Sequence, residues 1–429
     1  MDTRPNVLLI HGHDIGRWVS CYGHPTIPTP RIEQLAAQSL VFEEAFSAAP
    51  LCTPSRGAML TGMSPHANGL NGLAHDSWLY FSDVKTLPDH LRALGYDTAL
   101  IGLQHENPDP LVLGYDEVVG VGFLPRALIV AEDAVAWLSQ PVMGDRPWLA
   151  NVGMWEAHRP WPAEDYDPVD PATVNVPAHL PDNEFTRADI AAMYGSLAQF
   201  DEAVGRILDA LAARPDAANT LVILTTDHGV PFPRAKSTLY DTGTGVMFVA
   251  RPPASWQVKA RRVPGQVSHL DLVPTLIALA GGTPAAPLEG KSLAGVLAGE
   301  AEVEPRPIFT EKSYHDGYDP IRAVRDDGFK YIRNFTPGPL LPLARDLEES
   351  LTRQGMGDEH LGPRPDEELY DLVADPDELH NVAGEPARGP DLSRLAGLLH
   401  DWMVRTADPI LTGPIAPMPR PARRTRERR

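Results

Sequence analysis

The chain has 429 residues, 43% hydrophobic and 22% charged, a balance that supports a substantial buried core and excludes an unfolded polyampholyte. A formal charge of −20 argues against nonspecific binding to nucleic acid or an anionic membrane, so an anionic substrate needs a locally positive site. Cys21 and Cys52 are the only cysteines, which excludes a disulfide framework and makes a reducing, cytoplasmic setting the expectation. No leader-like pattern precedes the apolar run Val7 to Ile10, and no stretch is long and apolar enough to span a bilayer.

Short apolar runs predict buried strands at Asn6 to Ile10, Thr98 to Ile101, Trp148 to Met154, Thr220 to Thr225 and Val246 to Ala250. Between them, helical periodicity covers Arg31 to Leu40, Thr86 to Leu94, Ala127 to Leu138, Arg187 to Leu211 and Leu270 to Ala280. The alternation predicts an α/β fold, a large, doubly wound, mostly parallel sheet flanked by helices, over residues 1–303. From about Glu304 the pattern changes. Pro307 to Thr310, Ile321 to Arg325 and Phe329 to Arg333, with Asp327-Gly328 as a hairpin signal, predict a small antiparallel subdomain over 304–412. It is closed by Glu368 to Leu372 and a helix from about Asp391 to Val404. Residues 413–429, rich in Pro and Arg, are expected to lack fixed structure or to dock on a neighbouring subunit, which leaves a homo-oligomer open.

Each of the first four strands is followed by chemistry-bearing side chains: His13-Asp14, Gln104-His105-Glu106, Glu156-Ala157-His158 and Asp227-His228-Gly229. In open α/β sheets ligands bind beyond the carboxyl ends of the strands, so the four clusters are expected to converge on one site. That expectation stands on the residues alone.

A fifth segment, Leu51-Cys52-Thr53-Pro54-Ser55-Arg56-Gly57, places a cysteine before a Pro-Ser helix start, with an arginine one turn on. Taken singly, a small buried cysteine ahead of a helix explains it. Taken with the strand-end clusters, the segment resembles the type I sulfatase signature Cys-x-Pro-Ser-Arg, and the chain from its first strand to Asn381 resembles the sulfatase branch of the alkaline phosphatase superfamily. Within it, Asp227 to Pro233 followed by Lys236 and Leu239-Tyr240 is most similar to the sulfamidase (heparan N-sulfatase) type.

The resemblance implies that Cys52 is converted to formylglycine by a formylglycine-generating enzyme, and that its hydrate attacks the sulfur of a small sulfate ester or sulfamate. It implies one divalent metal, held by His13, Asp14, Asp227 and His228. Calcium is what the family leads one to expect, but His13 stands where the family has aspartate, and two imidazoles suit manganese, zinc or iron better. Catalytic roles fall to Cys52, Arg56, His105, His158 and Lys236: Arg56 steadies the nucleophile or ligand carboxylates, His105 is a base, and His158 and Lys236 serve the leaving group. The lysine that normally precedes the family histidine is here Leu103, so a sulfate contact is missing. Gln104, Glu106, His75 and Trp155 are expected on the substrate side, with Glu106 able to orient His105 and with Trp78 and Trp161 as further wall or as core. His66, Asp201, Asp271 and Thr275 are expected to be structural, Asp271 as a helix cap. A phosphodiesterase or phosphonate monoester hydrolase shares this pattern, and a noncatalytic binding protein with a decayed site is the reading from another class.

Overall fold

The computed structural model describes residues 4–24, 26–122, 124–141 and 146–418. Nine strands form the main sheet: β1 (Asn6–Gly12), β2 (Leu40–Phe46), β3 (Asp97–Gly102), β4 (Glu117–Val119), β5 (Trp148–Gly153), β6 (Thr220–Thr226), β7 (Gly245–Val246), β8 (Phe248–Arg251) and β9 (Arg261–Ser268). Their order is β4-β3-β5-β1-β6-β8-β2-β7, with β9 also paired to β2. From β4 to β6 neighbours run parallel, whereas β8 is antiparallel to both β6 and β2, and β9 runs parallel to β2. The sheet is thus parallel where the clusters lie and mixed beyond β6.

Seven helices of seven residues or more are described: α1 (Pro30–Ala36), α2 (Cys52–Thr61), α3 (Leu87–Ala93), α4 (Ala127–Leu138), α5 (Glu184–Ala212), α6 (Leu272–Leu279) and α7 (Gly389–Arg405). Strand alternation decides which face each covers. Leu8, Ile10, Ala150, Val152, Val222 and Leu224 point to one side and pack with α1, α4 and α5. Val7, Leu9, Leu149, Leu221 and Ile223 point to the other and pack with α2, α3 and α6. Each such side chain, removed from water, contributes about 1.5–3 kcal/mol, and truncating one to alanine costs about 2–5 kcal/mol.

Two expectations are corrected, and one strand is new. Residues 37–40 do not continue a helix: α1 ends at Ala36 and the chain enters β2, whose Leu40, Val41, Phe42, Ala45 and Phe46 are buried. Val246 to Ala250 is two short strands rather than one. β9 was not foreseen, because Pro264 and Gly265 interrupt it; they fall where its pairing with β2 shifts register, and Gly265 takes φ +94° there.

Strands β10 (Ile308–Tyr314), β11 (Tyr318–Arg325), β12 (Phe329–Asn334) and β13 (Glu367–Asp371) form a separate antiparallel sheet in sequence order. One face packs on α7 through Val324, Tyr331, Leu369, Leu399 and Trp402. The other packs Ile321, Ala323, Ile332 and Tyr370 on Leu239 and Tyr240 of the main domain. Ile415, within the expected tail, is held by its own chain: it accepts from Tyr314 Oη (2.6 Å) and donates to Tyr318 Oη (3.0 Å). Residues 419–429 of that predicted tail lie outside the described residues.

Candidate active site

The parallel strands end in step, with His11 of β1 opposite Gly153 of β5 and Gly12 opposite Thr226 of β6. His13 and Asp14 therefore emerge beside Asp227 and His228. Asp14 takes φ 56°, a left-handed conformation that aspartate tolerates, and its backbone N–H donates to Asp227 Oδ1 (2.9 Å). Gly229 has to be glycine, since a Cβ there would meet the Thr242 carbonyl and Gly243.

Helix α2 brings Cys52 to this edge, and each polar residue of its first turn ties it to a different strand end. Thr53 Oγ1 donates to the His105 carbonyl (2.6 Å), and Ser55 Oγ to the Asp227 carbonyl (2.5 Å). Arg56 is fully buried and donates to Asp227 Oδ2 (3.2 Å from Nε), His11 Nδ1 (2.8 Å) and the Gly12 carbonyl (3.2 Å). The i to i+4 spacing thus serves Arg56's hold on the metal-side carboxylate. No side chain caps the amino end of α2, so its first N–H groups and positive dipole end remain available at Cys52.

His13, Asp14, Cys52, Asp227 and His228 offer donor atoms that all lie within 4.8 Å of one another, every residue buried. His13 Nε2 lies 3.0 Å from Cys52 Sγ, 3.3 Å from Asp227 Oδ2 and 3.5 Å from Asp14 Oδ1. His228 Nε2 lies 2.9 Å from Asp14 Oδ1 and 3.7 Å from Cys52 Sγ, and its Nδ1–H is fixed on the Gly229 carbonyl (3.0 Å), leaving Nε2 as the ligand nitrogen. Asp14 Oδ1 is fully buried and faces the Nε2 atoms of His228 and His13. Two buried carboxylates with converging nitrogens suit a cation.

The titration of these groups follows. Burial would raise both carboxyls, but Lys236 and the imidazoles hold Asp14, and His228 and Arg56 hold Asp227, well below the usual range. Burial would lower His228, yet Asp227 and Asp14 raise it well above its ordinary value, so a proton there balances the carboxylates when no cation does. Burial lowers His13, and burial followed by Arg56 lowers His105 to about 3, keeping it neutral. The Cys52 thiol is raised by burial.

Lys236 is buried and donates to Asp14 Oδ2 (2.7 Å), Asp346 Oδ2 (2.7 Å) and His158 Nε2 (3.1 Å). His158 directs Nδ1 to the Arg159 carbonyl (2.6 Å), so Nδ1 carries the proton and Nε2 accepts. Trp155 packs its ring on His158 (4.4 Å between centroids) and on His13 (5.4 Å). His105 lies beside them, its ring 6.2 Å from that of His13 and stacked on the largely exposed His75 at 5.6 Å. The structure therefore gathers Cys52, Arg56, His105, His158, Lys236, His13, Asp14, Asp227, His228, His75 and Trp155.

Other expected residues are placed differently. Glu106 accepts from the backbone N–H of His105 (2.6 Å) and does not orient its ring. Gln104 folds onto its own loop, bonded to Glu106 and Asn107. Trp78 packs with Leu70 and Ile415, and Trp161 under Arg159 and Phe232, so both are core. Leu103 is buried and supplies no charge. Asp271 bonds the backbone of Ser268 (2.8 Å) and Lys291 (2.7 Å); the capping hydroxyl is that of Ser268. His66 pairs with Glu311 (2.6 Å) and Asp201 accepts from the first N–H groups of α1, structural roles both.

Two residues at the site were not foreseen, His11 and Asp346. His11 alternates with His13 along β1, a signal that could have been read. Asp346 lies 110 positions beyond Lys236, in the short helix Arg345–Glu348 of a long connection, and nothing local marks it.

Comparison with known proteins settles the family. Residues 5–282 match the sulfatase family model. The chain belongs to the sulfatase family. It is 29% identical over 470 residues to human N-sulphoglucosamine sulphohydrolase, covering 96% of this chain and 92% of that one. Among solved structures, a 2-O GAG sulfatase superposes with a TM-score of 0.72 at 24% identity, covering 95% of this chain and 94% of the other. Phosphonate monoester hydrolase of Agrobacterium radiobacter superposes at 0.74 with 21% identity, covering 97% of this sulfatase and 100% of its own chain. Both show the shared fold. Among the described residues no helix is long and apolar enough to cross a membrane.

Proposed function

We propose that this sulfatase hydrolyses a sulfate ester or sulfamate of a small organic or sugar substrate, using formylglycine made from Cys52 and one divalent cation held by His13, Asp14, Asp227 and His228. The observation that supports it most is the convergence of Cys52 Sγ with four ligand atoms inside 4.8 Å, at the end of a helix locked to three strand ends. The two groups supply, when present, a hydrated-aldehyde nucleophile for sulfur and a positive field for sulfate oxygens. Two nitrogens beside two carboxylates suit manganese or zinc better than calcium.

The chain's own residues do the rest. Arg56 holds Asp227 in place and adds fixed positive charge behind position 52. His105, neutral at working pH, takes a proton at position 52 in the step that releases sulfate. Lys236 keeps its proton because Asp14 and Asp346 outweigh the cost of burial, and with His158 it forms a proton-bearing pair on the leaving-group side.

Mass spectrometry of the peptide carrying residue 52, from protein coexpressed with a formylglycine-generating enzyme, tests the reading alongside turnover of 4-nitrophenyl sulfate. Conversion at residue 52 that tracks activity is expected. Full activity with unmodified Cys52 refutes it. The imidazole-rich ligand set favours one second reading, phosphodiester or phosphonate monoester hydrolysis, and preferential turnover of an aryl phosphodiester with manganese would establish it instead.

A further inference from the structure

Residues 335–366, between β12 and β13, leave the small sheet and return past Lys236 and His158. The connection is pinned rather than loose. Ala344 and Leu347 are buried, and Thr352 donates to Asp189 Oδ2 (2.7 Å), the carboxylate that also grips Arg159 through two bonds of 2.7 Å. Arg345 N–H is held by Asp316 (3.0 Å) and Asn183 holds the Gly355 carbonyl (2.9 Å). Between these anchors stands Asp346, its side chain 23% exposed, with Oδ2 2.7 Å from Lys236 Nζ and 4.0 Å from His158 Nε2.

Of the two carboxylates on Lys236, Asp14 is fully buried and also lies 2.9 Å from His228 Nε2, whereas Asp346 is the partner that faces outward. We propose that Asp346 is a specificity-determining residue, favouring leaving groups that carry an ammonium or another strong hydrogen-bond donor beside the scissile bond and rejecting those that carry a carboxylate or second sulfate there. This rests on the sulfatase reading, since it takes the His158 and Lys236 side as the leaving-group side. On cleavage the S–O bond breaks with its electron pair on oxygen, which takes one proton from the Lys236 and His158 pair. The departing alcohol is then neutral, and only its substituent remains for Asp346 to read.

Three aryl sulfates test it: phenyl sulfate bearing an ortho aminomethyl group, an ortho carboxylate, or neither. Comparing Asp346→Asn with the parent enzyme on each substrate cancels differences in leaving-group acidity. The ratio of kcat/KM for the aminomethyl over the carboxyl substrate should fall about ten-fold or more, as expected for one charge at close range, and Asp346→Lys should invert it. Asp346→Glu should restore the preference. An equal loss on all three substrates overturns the proposal and leaves Asp346 as a positioning residue for Lys236. Binding of the product phenols, 2-hydroxybenzylamine and salicylate, to Cys52→Ala protein is read by NMR titration without turnover. An aminomethyl preference that vanishes in Cys52→Ala/Asp346→Asn supports the proposal, and no preference overturns it. Absence of all turnover with residue 52 converted would instead defeat the sulfatase reading.

Discussion

Replacing Arg56 with methionine keeps the apolar stem and removes the guanidinium that joins Asp227, His11 and the Gly12 carbonyl. In metal-free protein the buried Asp227 carboxylate loses its arginine, and breaking a buried pair from one side costs about 3–5 kcal/mol. His13 Nε2 at 3.3 Å from Asp227 Oδ2 compensates little, because burial lowers its affinity for a proton, while protonated His228, 3.9 Å away, keeps the loss toward the lower end of that range. With a cation bound, Asp227 regains a positive partner, and the cost falls to that of two orphaned acceptors, about 1–3 kcal/mol. An unfolding entropy of ~2.1 cal/mol/K per residue gives about 0.9 kcal/mol/K for 429 residues, so the Tm should drop ~3–6 °C in chelator and ~1–3 °C with saturating metal. Calorimetric scans of both proteins under both conditions measure the difference. A loss that metal does not reduce would refute the assignment of Asp227 as a ligand, and a Tm unchanged in chelator would refute the burial argument.

Asp189→Asn should cost about 3 kcal/mol, seen as ~3 °C in Tm, because it breaks the bidentate pair with the buried Arg159. It should also make residues 335–366 the first segment cut in limited proteolysis, since Thr352 loses its carboxylate acceptor. His66 lies between Glu311 (2.6 Å) and Asp408 (3.9 Å); burial would lower it, but Glu311 raises it above 6.5. A raised folded-state value means that stabilisation is fully present below pH 6.5 and is lost as pH climbs through the folded value. The Tm advantage of the parent over His66→Gln should therefore be larger at pH 6 than at pH 9, and a constant difference would show that His66 is not protonated in the fold.

The parallel half of the sheet was legible because its strands are continuous apolar runs, buried on both faces, and each run stops within a few residues of a polar cluster. Chain order alone then placed four clusters on one edge. The mixed half was not legible: β2 carries Glu43 and Glu44 in its middle, and β9 carries Pro264 and Gly265. Within the site, residues contributed by strand ends or the first turn of a helix could be read from spacing. Residues whose role depends on a loop's path could not. Gln104 and Glu106 face their own backbone, and Asp346 reaches Lys236 only because Leu347, Thr352 and Asp189 set the course of a long connection.

The two departures from the sulfatase pattern are best understood together. Histidine at 13 in place of aspartate removes one negative charge, and leucine at 103 in place of lysine removes one positive charge. The formal charge is then the same as with both family residues present, so the two substitutions offset each other in charge. His13→Asp alone should then add a third carboxylate to Asp14 and Asp227, shifting metal preference toward calcium while weakening sulfate binding by electrostatic repulsion. Leu103→Lys alone buries an ammonium without a partner, at a cost of several kcal/mol. The double variant should recover what each single one loses, with a coupling of about 1–3 kcal/mol in Tm-derived stability. Calcium and manganese titrations by calorimetry, with inorganic sulfate competition, read the binding side of the same cycle. Additive losses would show that the two positions do not share a field, and that the absent lysine is replaced by some other cation.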